Sequence, residues 1–170
     1  GALVQANYGM RNMLRCGHAP VGLEITEAVV PVPERENKPK SDQGSIIVIL
    51  ATDAPLLPHQ CRRLAQRGAL AIARAGGAGE NSSGDLILAF ATGNPPFAIS
   101  DDPAAVPPER SLRAVDEAWL SPLFWAAIEA VEEAIVNALV AAETMTGRDG
   151  HVAHRLPRDL LVEVWQRHRR

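Results

Sequence analysis

At residues 42–53 a polar segment ends in Gly44-Ser45 and passes directly into Ile46-Ile47-Val48-Ile49-Leu50, an apolar and largely β-branched run. A short apolar run of this composition, bounded by polar residues, reads as a strand covered on both faces. The strand opens on a serine. Gly44 before it can take backbone angles closed to other residues, which suits a strained or reactive peptide link. A second run, residues 86–92, reads as another buried strand, and the stretch between the two carries a helical pattern. Strands alternating with helices indicate a mixed α/β layered domain, whose topology periodicity alone leaves open.

The remaining elements follow from local signals. Asp53-Ala54-Pro55 breaks the first strand, and Pro58 opens a helix, since proline is tolerated in a first turn. Leu57, Cys61, Leu64, Ala65, Gly68 and Ile72 then share one face, and Gly76-Gly77-Ala78-Gly79 stops the helix. Residues 94–110, with five prolines, form an irregular surface connection. Residues 122–142 are the longest helix, with Ile128, Val131, Ile135 and Leu139 inward and Ser121 as the N-cap. Residues 157–170 read as a short amphipathic helix carrying Leu160, Leu161 and Val164. Near the start, residues 3–9 read as a strand and 10–16 as a turn or short helix ended by Gly17. Residues 21–30 then read as an extended segment with Ile25, Val29 and Val30 inward. Residues 31–44, with three prolines and alternating charges, read as a linker.

Composition excludes several classes. With 170 residues, 46% hydrophobic and 22% charged, the chain is long enough for one domain of ordinary composition. No run approaches the roughly 18 apolar residues of a membrane helix, and no signal-type segment opens the chain. A formal net charge of -3 gives no electrostatic reason for a nucleic-acid or anionic-membrane partner. Arg62, Arg63, Arg67 and Arg74 read as a solvated helix face. Cys16 and Cys61 make neither a disulfide framework nor a zinc site, which suits a reducing, cytoplasmic compartment. His151 and His154 lack a third ligand in sequence, so neither metal nor cofactor is expected. The glycine-rich stretch 76–84 follows a helix and lacks the Gly-Lys-Ser/Thr ending of a phosphate loop. Asn81-Ser82-Ser83 fits the glycosylation pattern by chance.

Three motifs in one order carry a resemblance: Val4-Gln5-Ala6-Asn7-Tyr8-Gly9, Gly44-Ser45 with its apolar run, and Asn81-Ser82-Ser83-Gly84-Asp85-Leu86-Ile87-Leu88-Ala89-Phe90. With the ending Thr146-Gly147-Arg148-Asp149-Gly150, the chain resembles the L-aminopeptidase/D-esterase and β-peptidyl aminopeptidase family along nearly its whole length. The resemblance implies a four-layer αββα sandwich and a precursor that cuts itself between Gly44 and Ser45. Residues 1–44 would end the upstream (alpha) chain, residues 45–170 would be the downstream (beta) chain, and both would belong to one domain. It further implies that the 170 residues are the C-terminal part of a longer precursor, and that cleaved pairs assemble into homo-oligomers.

Cleavage there would give Ser45 both a hydroxyl nucleophile and a free α-amine, whose reference pKa of about 7.7 to 8.0 suits a base at neutral pH. An intact peptide nitrogen has no such basicity, so cleavage switches the site on. Ser83 and Asp85 alternate where a loop enters a strand, so their side chains can share a face beside Ser45. The resemblance implies that they hold the nucleophile's hydroxyl and amine, and that Asn7 supplies an oxyanion-hole amide. Asp53 reads as the start of a turn. The expected activity is release of N-terminal residues from small peptides, amino-acid amides or esters. An ornithine-acetyltransferase-like acyltransferase, whose nucleophile is threonine, and a noncatalytic assembly subunit of the same fold are the alternatives.

Overall fold

The computed structural model describes residues 1–25, 44–96, 99–150 and 152–169. Its centre is a three-stranded sheet in the order β1 (Ala2–Asn7), β2 (Ser45–Thr52), β3 (Leu86–Ala91). β1 runs antiparallel to β2, and β3 runs parallel to it. The crossover between the parallel strands is helix α2 (Pro58–Arg74), as a parallel pair requires. The later helix α3 (Leu120–Ala141) lies beside α2 and against β1, on the same side of the sheet.

Alternation along β2 decides what is core. Ile46, Val48 and Leu50 are buried against Leu64, Ala71 and Ile72 of α2 and Ala127, Ile128, Val131 and Ile135 of α3. The other face is bare among the described residues: Ile47 is 42% exposed, Leu86 65% and Leu88 58%. β2 and β3 are therefore covered on one face here, not on both, because a single helix layer packs on the sheet. Helix layer plus sheet make two of the four layers expected. Ile135 is 2% exposed at the centre of this packing. Ile135→Ala is expected to cost about 2–5 kcal/mol in chemical denaturation of the full-length protein.

Polar groups fix the helix ends. Gln60, 2% exposed, accepts from the Leu57 amide at 3.1 Å and donates to the Val115 carbonyl at 2.7 Å. One side chain thus caps α2 and anchors the connection into α3. Ser121 is not the α3 cap, because it already lies inside the helix. Asp116 instead caps the preceding 3-10 turn, accepting from the Ala118 amide at 2.9 Å. The arginine face of α2 is more than solvated: Arg63 and Arg67 stack on Phe124, Arg74 stacks on Trp125, and Arg63 pairs with Glu117.

The expected extended segment from residue 21 begins as a helical turn, α1 (Val21–Glu24), with Ile25 buried beside it. Val29, Val30 and the 31–43 part of the linker lie outside the described residues. A second small core joins Ala19, Val21 and Ile25 to Leu161 and Val164 of α4 (Arg158–Arg167). Leu160, 38% exposed, faces outward instead. A short hairpin, β4 (Met145–Thr146) with β5 (Val152–Ala153), precedes α4. Among the described residues no helix is long and apolar enough to cross a membrane.

Candidate active site

Topology gathers the site at one end of the sheet. Parallel β2 and β3 both begin there, and antiparallel β1 ends there, so Ser45, the loop before β3 and Asn7 meet. Asn7 and Ser45 are direct ladder partners, which puts their side chains on the same face. That face is the one turned away from the helices. Asp53 lies at the opposite end of β2.

Ser45 is half-buried, and its Oγ accepts a hydrogen bond from the Gly84 amide at 3.0 Å. The Ser83 hydroxyl donates to Asp85 Oδ1 at 2.6 Å, and the same oxygen accepts from the Ile46 amide at 3.0 Å. Gly84 and Asp85 thus clamp the start of β2 through two hydrogen bonds, and Ser83 braces the Asp85 carboxylate through a third. The carboxylate sits one peptide group from the Ser45 nitrogen. Asn7 is exposed, and its side chain makes no hydrogen bond among the described residues.

The approach to Ser45 is tight. A Cβ on Gly44 would lie 3.0 Å from both the Asn7 carbonyl oxygen and the Tyr8 Cα, so this position accommodates glycine best. A Cβ on Gly84 would lie 3.3 Å from Ser45 Oγ. The Gly84 amide and Tyr8 are the two site features that residue types alone do not disclose. Every residue carries an amide, and in the sequence Tyr8 reads only as part of the strand over residues 3–9.

Tyr8 points toward the helix layer, and burial, with the Asp85 charge adding, pushes its hydroxyl up to about 12. Burial raises both cysteine thiols, so neither Cys16 nor Cys61 offers a ready thiolate. A cavity of about 340 Å³ opens beside Asn7 and Tyr8, bounded by Ile135 and Leu139 of α3 and by His154 and Arg155. Among the described residues no group of three His, Cys, Asp or Glu side chains could hold a metal ion.

A backbone hydrogen-bond donor on a serine at a strand's first residue, with a carboxylate on the next amide, is an arrangement for hydroxyl chemistry on a strand terminus. The sequence model of peptidase family S58 matches residues 1–153. The chain is 41% identical to beta-peptidyl aminopeptidase BapA of Sphingosinicella microcystinivorans, a match spanning 100% of this chain and 43% of that protein. A solved Burkholderia sp. beta-aminopeptidase superposes with a TM-score of 0.84 at 45% identity, over 98% of this chain and 43% of that one. The L-aminopeptidase D-Ala-esterase/amidase of Ochrobactrum anthropi superposes with a TM-score of 0.78 at 38% identity, over 99% of this chain and 43% of that one. That structure is described as a prototype for the serine aminopeptidases and a new variant among the Ntn hydrolase fold.

The fold is therefore that of the N-terminal-nucleophile hydrolases, α/β in class. The chain belongs to peptidase family S58. It spans less than half the length of these relatives.

Proposed function

We propose that this chain carries the nucleophile and cleavage site of a self-activating serine aminopeptidase. The observation that carries the reading is the Ser45 hydroxyl at the head of β2, held by the Gly84 amide at 3.0 Å beside the Ser83–Asp85 pair. Ser45 Oγ attacks the Gly44 carbonyl carbon, the peptide C–N bond breaks, and an ester to Oγ forms as the Ser45 nitrogen becomes an amine. Water then hydrolyses the ester. Residues 1–44 then lie in one chain and 45–170 in the other, and both remain in one domain.

The released amine next takes the Oγ proton while Oγ attacks a substrate carbonyl, and returns a proton to the leaving amine or alcohol. Asp85 stabilises the ammonium form, since its carboxylate already lies one peptide group away. Asn7, level with Ser45 on the same face, and the Gly84 amide are the donors available to an oxyanion. Water hydrolyses the acyl-enzyme. The substrates are small peptides, amino-acid amides or esters with a free N-terminus, in keeping with the names of the relatives.

The bare apolar face with Leu86 and Leu88 receives the second sheet of an αββα sandwich, supplied by the remaining length that the relatives have and this chain does not span. The cleaved pairs assemble as homo-oligomers in the cytoplasm, a placement supported by two cysteines that are both free thiols. The acyltransferase alternative is disfavoured by serine at position 45 and by relatives named as aminopeptidases.

Intact mass and N-terminal sequencing of the purified full-length protein test this reading. A new chain beginning Ser-Ile-Ile-Val is expected, and Ser45→Ala is expected to stay whole. If both stay whole under folding conditions, Ser45 never gains its amine, and the noncatalytic-subunit reading replaces this one.

A further inference from the structure

The ladder between β1 and β2 decides where the Ser45 nitrogen points. In an antiparallel pair, opposed residues alternate between exchanging both main-chain hydrogen bonds and exchanging none. Gly1 and Ala51 exchange both, at 2.8 Å and 2.9 Å. The register runs on without a slip to Asn7 and Ser45, so Leu3 with Ile49, Gln5 with Ile47 and Asn7 with Ser45 are the later bonded rows. The Ser45 N–H therefore donates to the Asn7 carbonyl, and the Asn7 N–H donates to the Ser45 carbonyl. The next amide of β2 turns the other way: the Ile46 N–H faces β3, where Asp85 Oδ1 accepts it at 3.0 Å.

The Asn7 carbonyl is also held in place. A Cβ on Gly44 would lie 3.0 Å from the Asn7 oxygen and 3.0 Å from the Tyr8 Cα, so β1 leaves the sheet pressed against the scissile link. The Tyr8 ring anchors that exit, since a Cβ on Gly77 would come 2.7 Å from its Cε2. A free α-amine, by contrast, turns about its bond to Cα and carries two N–H groups and one lone pair. An acceptor fixed on one N–H stops that rotation and leaves the lone pair two staggered positions instead of three. Proton transfer from Oγ needs the lone pair aimed at Oγ, so the restriction favours it.

Resting on the self-activating hydrolase reading above, we propose that the main-chain carbonyl of Asn7 is a positioning group that keeps hold of the Ser45 nitrogen after cleavage turns it from an amide into an amine. The bond exists before the cut, so the amine is captured where it forms. When Oγ gives its proton to the nitrogen, the resulting ammonium donates to the same oxygen, and a charged donor makes that bond stronger. Asp85 acts through its charge from the β3 side, and the Asn7 carbonyl acts by direct contact from the β1 side. Asn7 thus serves Ser45 twice, through its carbonyl on the nitrogen and through its side-chain amide on the oxyanion. Side-chain substitution reaches only the second.

The test is an amide-to-ester exchange in the full-length protein, with Tyr8 replaced by its α-hydroxy acid through nonsense suppression. This weakens the Asn7 carbonyl as an acceptor and keeps every side chain. The matched control replaces Ala6 by lactic acid, which weakens the Gln5 carbonyl on Ile47, one bonded row further from the break. Ala6 and Tyr8 lie in the non-bonded rows, so each exchange also deletes an N–H turned away from β2. With a chromogenic aminoacyl anilide, the Tyr8 ester is expected to lower kcat roughly 10-fold with KM unchanged, the scale of one hydrogen bond. The acidic limb of the pH–kcat/KM profile moves to lower pH, because an ammonium that loses an acceptor gives up its proton more easily. The Ala6 ester leaves kcat and the limb where they are. A purely structural role would lower the melting temperature of both esters and move neither limb. An unmoved limb in the Tyr8 ester overturns the proposal, as does an equal shift in the Ala6 ester. If the Tyr8 ester does not fold, matured wild-type protein decides, isotope-labelled for NMR at asparagine carbonyl carbons and tyrosine nitrogens. The Asn7 carbonyl resonance should then titrate in step with the acidic limb, and a flat resonance overturns the proposal. Wild-type protein that never releases a chain starting at Ser45 defeats the underlying hydrolase reading, and this proposal with it. Wild-type protein that matures and hydrolyses beside an unaffected Tyr8 ester defeats the positioning role alone.

Discussion

A two-chain form of the full-length protein, expressed so that the downstream chain begins at Ser45 after removal of its initiator methionine, is expected to hydrolyse aminoacyl anilides. The same form carrying Ser45→Ala should do so about a million-fold more slowly, the scale seen when a serine nucleophile is removed from a hydrolase. The two-chain design matters because Ser45 is asked to do two things. In the single chain, Ser45→Ala would block maturation, and inactivity would follow whether or not the hydroxyl also attacks substrate. Supplying the break artificially leaves the alanine variant with a free α-amine, the Asp85 carboxylate, and Gly84 and Asn7 as the proposed donors. On the proposed mechanism, only the nucleophile is missing. Binding and oxyanion stabilisation would still leave some acceleration over water, roughly 1,000- to 10,000-fold. Retention of activity within about tenfold of the serine form, measured by initial rates under matched conditions, would show that another group attacks substrate and that Ser45 serves maturation at most.

Much of this arrangement is legible in the sequence because it depends on residue type. The run Ile46 to Leu50 declares its strand, and its bounds in the structure, Ser45–Thr52, coincide with those expected. The helices over 58–74 and 120–141 declare themselves through apolar residues at spacings of three and four. What composition conceals is which partner covers a strand. Ile47, Leu86 and Leu88 are apolar as a two-sided strand demands, yet they stand exposed beside a helix layer that packs only on the opposite face. A pattern written for a full set of layers is identical whether or not those layers are at hand.

The site divides along the same line. Ser83 and Asp85 do share a face and bond each other, as their alternation requires. Their connection to Ser45 runs through backbone, the Gly84 amide on Oγ and the Ile46 amide on Asp85, and backbone groups leave no mark on residue type. Gln60 was equally hidden. A polar residue on the apolar face of α2 fits the core only because the Leu57 amide and Val115 carbonyl, distant in sequence from each other, both reach it. The helical turn at Val21–Glu24 was missed because four residues are too few for periodicity to register.

That turn supplies the second large effect, Gly22→Ala, which is expected to destabilise the full-length protein by more than about 4 kcal/mol or prevent its folding. A Cβ there would lie 1.7 Å from the Arg11 carbonyl oxygen and 2.9 Å from the Leu14 nitrogen, all backbone and none able to swing aside. The Gly22 amide also donates to the Leu14 carbonyl at 2.9 Å, so retreat from the clash breaks a hydrogen bond. Leu23→Ala, one residue on and 55% exposed, should stay within about 0.5 kcal/mol of wild type in the same denaturant melt. A Gly22→Ala protein as stable as Leu23→Ala would show that α1 does not pack on the 11–14 turn this closely. The consequence reaches the active site, because the turn at Arg11–Met13 follows Tyr8 directly and its Met13 carbonyl abuts Gly76. Displacing that turn loosens both supports of the Tyr8 ring, the chain that carries it and the glycine end of α2 against which it lies. A temperature-sensitive Gly22 variant should therefore lose self-cleavage at temperatures where its helices are still intact by circular dichroism.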